Sequence, residues 1–129
     1  MSDEHPLPHL NVIRNPGNPA HFMALKPIKG RVRIYADETL LAETQNALRM
    51  VEVGKDVYDP LIYVPAADMT APLERLEKTT HCPLKGDASY HAYKGEEIAW
   101  SYDNPLAFAS DIAARHAFWP GKVRIVEGA

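Results

Sequence analysis

Thr79-Thr80-His81-Cys82-Pro83-Leu84-Lys85-Gly86-Asp87-Ala88-Ser89-Tyr90 is the stretch on which the reading of this chain turns. Pro83 withdraws one amide donor and pushes Cys82 toward an extended conformation. Cys82-Pro83-Leu84-Lys85 then fits a type I turn with proline in second place, and Gly86 can take the left-handed conformation that resumes a strand. The segment therefore reads as a hairpin loop between two strands, with a thiol and an ammonium at opposite ends of one tight turn.

That spacing carries chemistry. An ammonium about 4 Å from a thiolate at a protein surface contributes roughly 1 to 4 kcal/mol of attraction, enough to move a thiol from about 8.5 to below about 8. Cys82 is then a candidate nucleophile or redox centre with Lys85 as its helper. His81 is a poor paired base, because neighbouring strand residues point to opposite faces. The opposing reading is plain: a lone cysteine is commonly a small buried apolar residue, and a turn lysine is commonly solvated.

Outward from the hairpin, the chain breaks into short strands. Residues 21–26 form a first strand closed by Pro27 and Gly30. Arg31-Val32-Arg33-Ile34-Tyr35 alternates with period two and pairs, across a polar turn at 36–39, with residues 40–44. Residues 47–53 read as a strand in which Leu48, Met50 and Glu52 share one face, so that Glu52 either lines up with core residues or ends the strand in solvent. Leu61-Ile62-Tyr63-Val64, between Pro60 and Pro65, is a strand of β-branched and aromatic residues. Residues 66–78 read either as a helical turn capped by Asp68 or Thr70 with Leu73 and Leu76 on one side or, given Pro72, as a short turn followed by a strand over 73–78.

Beyond the hairpin, residues 88–93 and 97–102 are two strands joined at Lys94-Gly95, with Trp100 and Tyr102 on one face. Asn104-Pro105 is the best helix start in the chain. Leu106, Ala109, Ile112, Ala113 and His116 follow at helical spacing and predict a helix near residues 105–114. Residues 122–127 close the chain as an alternating strand. The fold class expected is mainly β: a compact antiparallel folded sheet with one short helix. Residues 1–20, with Pro6, Pro8, Pro16, Gly17 and Pro19, read as an extended arm, either loose or docked on a second subunit, ahead of a single β domain over 21–129.

A chain of 129 residues with 46% hydrophobic and 24% charged residues can bury one core unaided. Its net charge of −3 lacks the basic footprint of a nucleic-acid binder, so no nucleic acid is expected. One cysteine makes no internal disulfide, and the N-terminus shows no signal segment. No apolar run approaches bilayer length, so the expectation is a cytoplasmic protein with no membrane partner. Cys82 with the scattered His81, His91 and His116 lacks paired zinc spacing, and no metal or cofactor is expected. Phosphate-cradling and nucleophile-elbow motifs are absent. The aromatic set Tyr63, Tyr90, Trp100 and Tyr102 is either core or ligand cage.

At these residues the chain resembles the family called domain of unknown function 427, which some collections file as nucleotidyltransferase-like. The resemblance is carried by residues 48–52, Ile62-Tyr63-Val64-Pro65, the Cys-Pro-x-Lys-Gly-x-Ala-x-Tyr run, Trp100-Ser101-Tyr102-Asp103-Asn104-Pro105-Leu106 and Ala117-Phe118. It implies a mostly antiparallel domain similar to the β-tent of methionine sulfoxide reductase B and certain zinc-binding exchange factors. Those zinc-binding relatives carry paired cysteines that this chain does not have, so their structural metal does not carry over. The family's recurrent positions stand here as Glu52, Tyr63, Thr80, Cys82, Lys85, Gly86, Tyr90, Trp100, Tyr102 and Pro105. The nucleotidyltransferase label finds no counterpart: Asp87 and Asp103 are separated and no Asp-x-Asp motif is present.

Two functions follow as expectations. In the first, an unknown small molecule sits among Tyr63, Tyr90, Trp100, Tyr102 and Thr80, with the chemistry at Cys82 helped by Lys85, and Glu52 either the acid or base or the group that holds the lysine. In the second, the protein is a non-catalytic homodimeric module and Cys82 a buried filler. The residues name no reaction.

Overall fold

The computed structural model describes residues 11–128. Every strand pairing in it is antiparallel. The larger sheet is built from β1 (Asn11–Asn15), β2 (Asn18–Pro27), β5 (Leu48–Val53), β6 (Leu61–Pro65), β7 (Glu74–Cys82), β8 (Gly86–Tyr93), β9 (Glu96–Ser101) and β10 (Arg115–Phe118), in the order β1-β2-β5-β6-β10-β9-β8-β7. The smaller has the order β11-β3-β4, from β11 (Arg124–Glu127), β3 (Val32–Ala36) and β4 (Thr39–Thr44). The expected mainly β, antiparallel class is what the chain adopts.

The period of two distributes side chains between two cores. Strand β6 shows how: Tyr63 enters one cluster with Met23, Leu25, Met50, Trp100 and Tyr102, while Ile62 and Val64 enter the other with Val32, Ile34, Leu41 and Phe118. A strand buried on both faces has to read as a continuous apolar run, as residues 61–64 do. The first cluster is capped by Leu84 of the central turn and by Ala109 and Ile112.

The reading of the arm is corrected, and that of the helix is refined. Of the arm foreseen over residues 1–20, residues 1–10 lie outside the described residues, but Asn11–Asn15 pairs with β2 and Ile13 is buried. Pro16 and Gly17 form the hairpin turn, fastened by the Gly17 amide donating to Asn15 Oδ1 at 2.9 Å. The short helix near 105–114 is present, but as two 3-10 turns within Ala107–Ile112, broken at Ala109. Leu106 is extended and offers no side-chain cap, and its amide donates to the Lys85 carbonyl at 2.9 Å. His116, placed on that helix by periodicity, lies in β10. There Arg115–Phe118 pairs with both β6 and β9, and two ladders outweigh local helix propensity. Among the described residues, no helix is long and apolar enough to cross a membrane.

The sheet face away from the central turn holds a polar network. Arg75 donates to Asp103 Oδ2 (2.7 Å) and Ser89 Oγ (2.6 Å), the Ser101 hydroxyl donates to Asp103 Oδ1 (2.9 Å), and His91 Nε2 meets Ser101 Oγ at 2.8 Å. The His116 ring packs 4.6 Å from His91, and its Nδ1 is buried without a hydrogen bond. Burial, helped by His91, pulls His116 down to about 4 against the partial opposition of Asp103, and burial lowers His91 as well. A base held below its unfolded value contributes stability that is fully present above about 6.5 and drains away as pH falls through the folded value. Unfolding free energy is therefore expected to drop by about 2 kcal/mol between pH 7 and pH 5 from His116 alone. Urea titrations at the two pH values check it; equal midpoints, or an undiminished pH effect in His116→Gln, would contradict it.

Candidate functional site

Strands β2 and β5 are in register with Met23 opposite Glu52 and Leu25 opposite Met50. His21 continues the β2 face of Met23 and Leu25, and Glu52 continues the β5 face of Leu48 and Met50. Of the two places foreseen for Glu52, the core-facing one is observed: its side chain is 15% exposed. Gly54 leaves room for the imidazole, since a β-carbon there would stand 3.3 Å from His21 Cδ2.

The central turn closes as expected, with the Lys85 amide donating to the Cys82 carbonyl at 3.2 Å and Cys82 paired with Gly86. Gly86 has φ +116°, and a β-carbon on it would stand 3.1 Å from Leu106 N and 3.2 Å from Pro105 Cα. The loop is thus pinned against the chain at Pro105 and Leu106, which throws the Lys85 side chain inward.

Its ammonium goes to the carboxylate: Nζ donates to Glu52 Oε1 at 2.6 Å. Glu52 Oε2 lies 2.8 Å from His21 Nε2. Because Asn15 Oδ1 already accepts from Gly17, the Asn15 amide nitrogen is the atom facing His21 Nδ1, at 3.3 Å. Nδ1 therefore accepts, and Nε2 carries the proton donated to Glu52. Cys82 is half-buried beside this chain, and the ligating atoms of His21, Glu52 and Cys82 all lie within 4.8 Å of one another.

Electrostatics keep the pair charged. Burial raises Glu52, but Lys85 and His21 together hold it below the ordinary carboxylate value. Burial lowers Lys85, yet the Tyr63 oxygen, Glu52 and Cys82 hold it above the ordinary amine value. Lys85 Nζ also lies 5.6 Å from the Tyr102 ring centroid, a cation–π contact. Lys85 is thus a buried counter-ion of Glu52 and a poor nucleophile.

His21 and Glu52 open onto a cleft of about 750 Å³ walled by Trp100, Trp119, Tyr58, Leu61 and Pro120, with Asn18, Lys55 and Asp59 at its rim. The two indoles stack at 4.4 Å, tilted by 46°, and Trp119 Nε1 donates to Glu97 Oε2 at 2.9 Å.

The register places the residues foreseen from sequence on one face of the large sheet but not in one pocket. Glu52 and Trp100 line the cleft, and Cys82 and Lys85 stand behind Glu52. Tyr63 is fully buried, its hydroxyl without a well-formed hydrogen bond although Trp100 and Lys85 both act on it, and burial raises the phenol. Burial raises Tyr102 likewise. Tyr90 lies apart, its hydroxyl 2.6 Å from Thr80 Oγ1 and its ring under Lys78. His21, Tyr58 and Trp119 were missed. The signal for His21 was the run His21-x-Met23-x-Leu25, which puts the imidazole on the core face.

Fold and site define an antiparallel β protein with a buried lysine–carboxylate–histidine chain at the floor of an aromatic cleft. The chain belongs to the family described as a domain of unknown function, DUF427, matched over residues 24–128. Glu52, Cys82 and Lys85 lie inside that span and His21 lies outside it. No curated protein matches the chain.

Proposed function

We propose that this protein binds a small molecule in the cleft, a flat apolar face lying against Trp100 and Trp119 and a hydrogen-bond donor reaching Glu52, with Cys82 as the reactive group behind it. The observation that carries this reading is a carboxylate, held by Lys85 and His21 below its ordinary pKa, at the floor of a mainly apolar cleft with Asn18, Lys55 and Asp59 at its rim. Buried charge is costly, and sites are where that cost is met. The reading takes the protein as cytoplasmic, where a lone thiol stays reduced.

Both tryptophans of the chain line the cleft, so their emission reports occupancy. In a titration with planar ring fragments, donor-bearing members are expected to shift the emission, to slow alkylation of Cys82, and to bind at least about tenfold more weakly to Glu52→Gln and Trp119→Ala. Hits that bind all three proteins equally, or a panel without hits, count against the proposal. The rival reading, a non-catalytic homodimeric module, draws on the packing of Cys82 against the core cluster. It expects Cys82→Ala to change stability and nothing else.

A further inference from the structure

His81, the sequence neighbour of Cys82, turns to Asp87 on the exposed side; the fold supplies other partners. His21 on β2, Glu52 on β5 and Cys82 at the end of β7 bring an imidazole nitrogen, a carboxylate oxygen and a sulfur within 4.8 Å of one another. Ligands of a tetrahedral zinc ion, at about 2.0 to 2.3 Å from the metal, stand roughly 3.3 to 3.8 Å apart. To admit an ion, His21 Nε2 and Glu52 Oε2, 2.8 Å apart, have to part by about 0.5 Å, and no donor has to move in by more than about 1.5 Å. Three mixed nitrogen, oxygen and sulfur donors beside a cleft are the ligand set of an open site, whose fourth position stays available.

We infer that His21, Glu52 and Cys82 form a three-ligand site for a divalent ion of the zinc class, with its open position toward the cleft. No cysteine pair takes part. Binding of the ion stands on this ligand geometry alone; its use by a cleft ligand rests on the reading above.

Lys85, on Glu52 Oε1, leaves Oε2 for the metal and fixes the carboxylate plane. Its charge has to be counted. A divalent ion, a thiolate, a carboxylate and an ammonium sum to one positive charge, so the open position favours an anion such as hydroxide or a ligand carboxylate. Binding sends the Cys82 thiol proton to solvent and moves the His21 proton from Nε2 to Nδ1. There it meets the Asn15 amide nitrogen, because Asn15 Oδ1 is held by Gly17. Asn15 therefore opposes coordination through Nε2, and Asn15→Asp, which can accept from both Gly17 and His21, removes the opposition.

The experiment is a titration of the reduced, full-length protein with cobalt(II), followed by thiolate-to-cobalt charge-transfer absorption and equilibrium dialysis. One ion per chain is expected, displaced by zinc. Cys82→Ser abolishes the charge-transfer band, His21→Ala weakens binding at least tenfold, and Asn15→Asp tightens it ten- to a hundredfold. The last is a gain that misfolding cannot imitate. Absence of the band in the wild type, or binding that Asn15→Asp leaves unchanged or weakens, overturns the inference. Cobalt binding without fragment hits would leave the site standing and the cleft reading fallen; fragment hits without cobalt binding would do the reverse.

Discussion

Replacing Lys85 by methionine is expected to destabilise the protein by about 3 to 5 kcal/mol, a large part of what a domain of this size has. The Lys85 side chain is 8% exposed and that of Glu52 15%, so removing the ammonium leaves a carboxylate desolvated with His21 as its remaining partner. The methionine keeps the stem's packing, which isolates the lost charge. Lys85→Met/Glu52→Gln should recover much of the loss, because the isolated charge costs more than the pair gains. The deficit should also shrink as pH falls. Without its cation, burial raises Glu52 above its unfolded value, and a carboxyl so raised is stabilising below that value and destabilising above it. Urea unfolding of the three proteins is the check; a single variant within about 1 kcal/mol of wild type would show that the ion pair is screened and weak.

Gly86→Ala is the second large effect. At φ +116° a side chain is strained, and here the added carbon also meets backbone at 3.1 Å on Leu106 and 3.2 Å on Pro105. Backbone cannot turn aside as a flexible side chain can. The expected loss is about 2 to 4 kcal/mol, or roughly 10 °C in Tm, with the bond from the Leu106 amide to Lys85 broken. Gly95→Ala provides the comparison. Gly95 also has positive φ, at +82°, but opens onto free space, so only the backbone strain of about 1 kcal/mol applies. Equal losses at the two positions would mean that the approach to Pro105 contributes nothing.

Both effects concern the turn that anchors the sequence reading, and they show how far that reading reached. Proline and glycine fix local geometry, so the Cys82 to Gly86 turn could be foreseen residue by residue. Alternation told which face each strand residue takes, and therefore that Glu52 lines up with Met50. The pattern could not say which strand lies beside which. The sequence offered two partners for the Lys85 ammonium, the Cys82 thiol at the other end of its turn and the Glu52 carboxylate; the fold brings Glu52 in from 33 residues away, and a carboxylate is the stronger partner.

The same limit explains why the helix is a short 3-10 one that ends before His116. Asn104-Pro105 and the spacing that follows carry helical propensity, but propensity amounts to tenths of a kcal/mol per residue, while Arg115–Phe118 completes ladders with two neighbouring strands. Likewise Tyr63 and Trp100 are both aromatic residues on one face, and composition does not separate them. Position in the sheet does: Tyr63 in the centre is sealed, whereas Trp100 reaches the cleft beside Trp119.

By itself the sequence determined most of the strands, though not β1 or β10, their inward faces and the turn at residues 82–86, because these depend on interactions a few residues long. The tertiary structure alone decided that His21, Glu52, Cys82 and Lys85 meet, and that Trp119 and Tyr58 complete a cleft over them. Those contacts join strands tens of residues apart, and only the order of strands in the sheet specifies them.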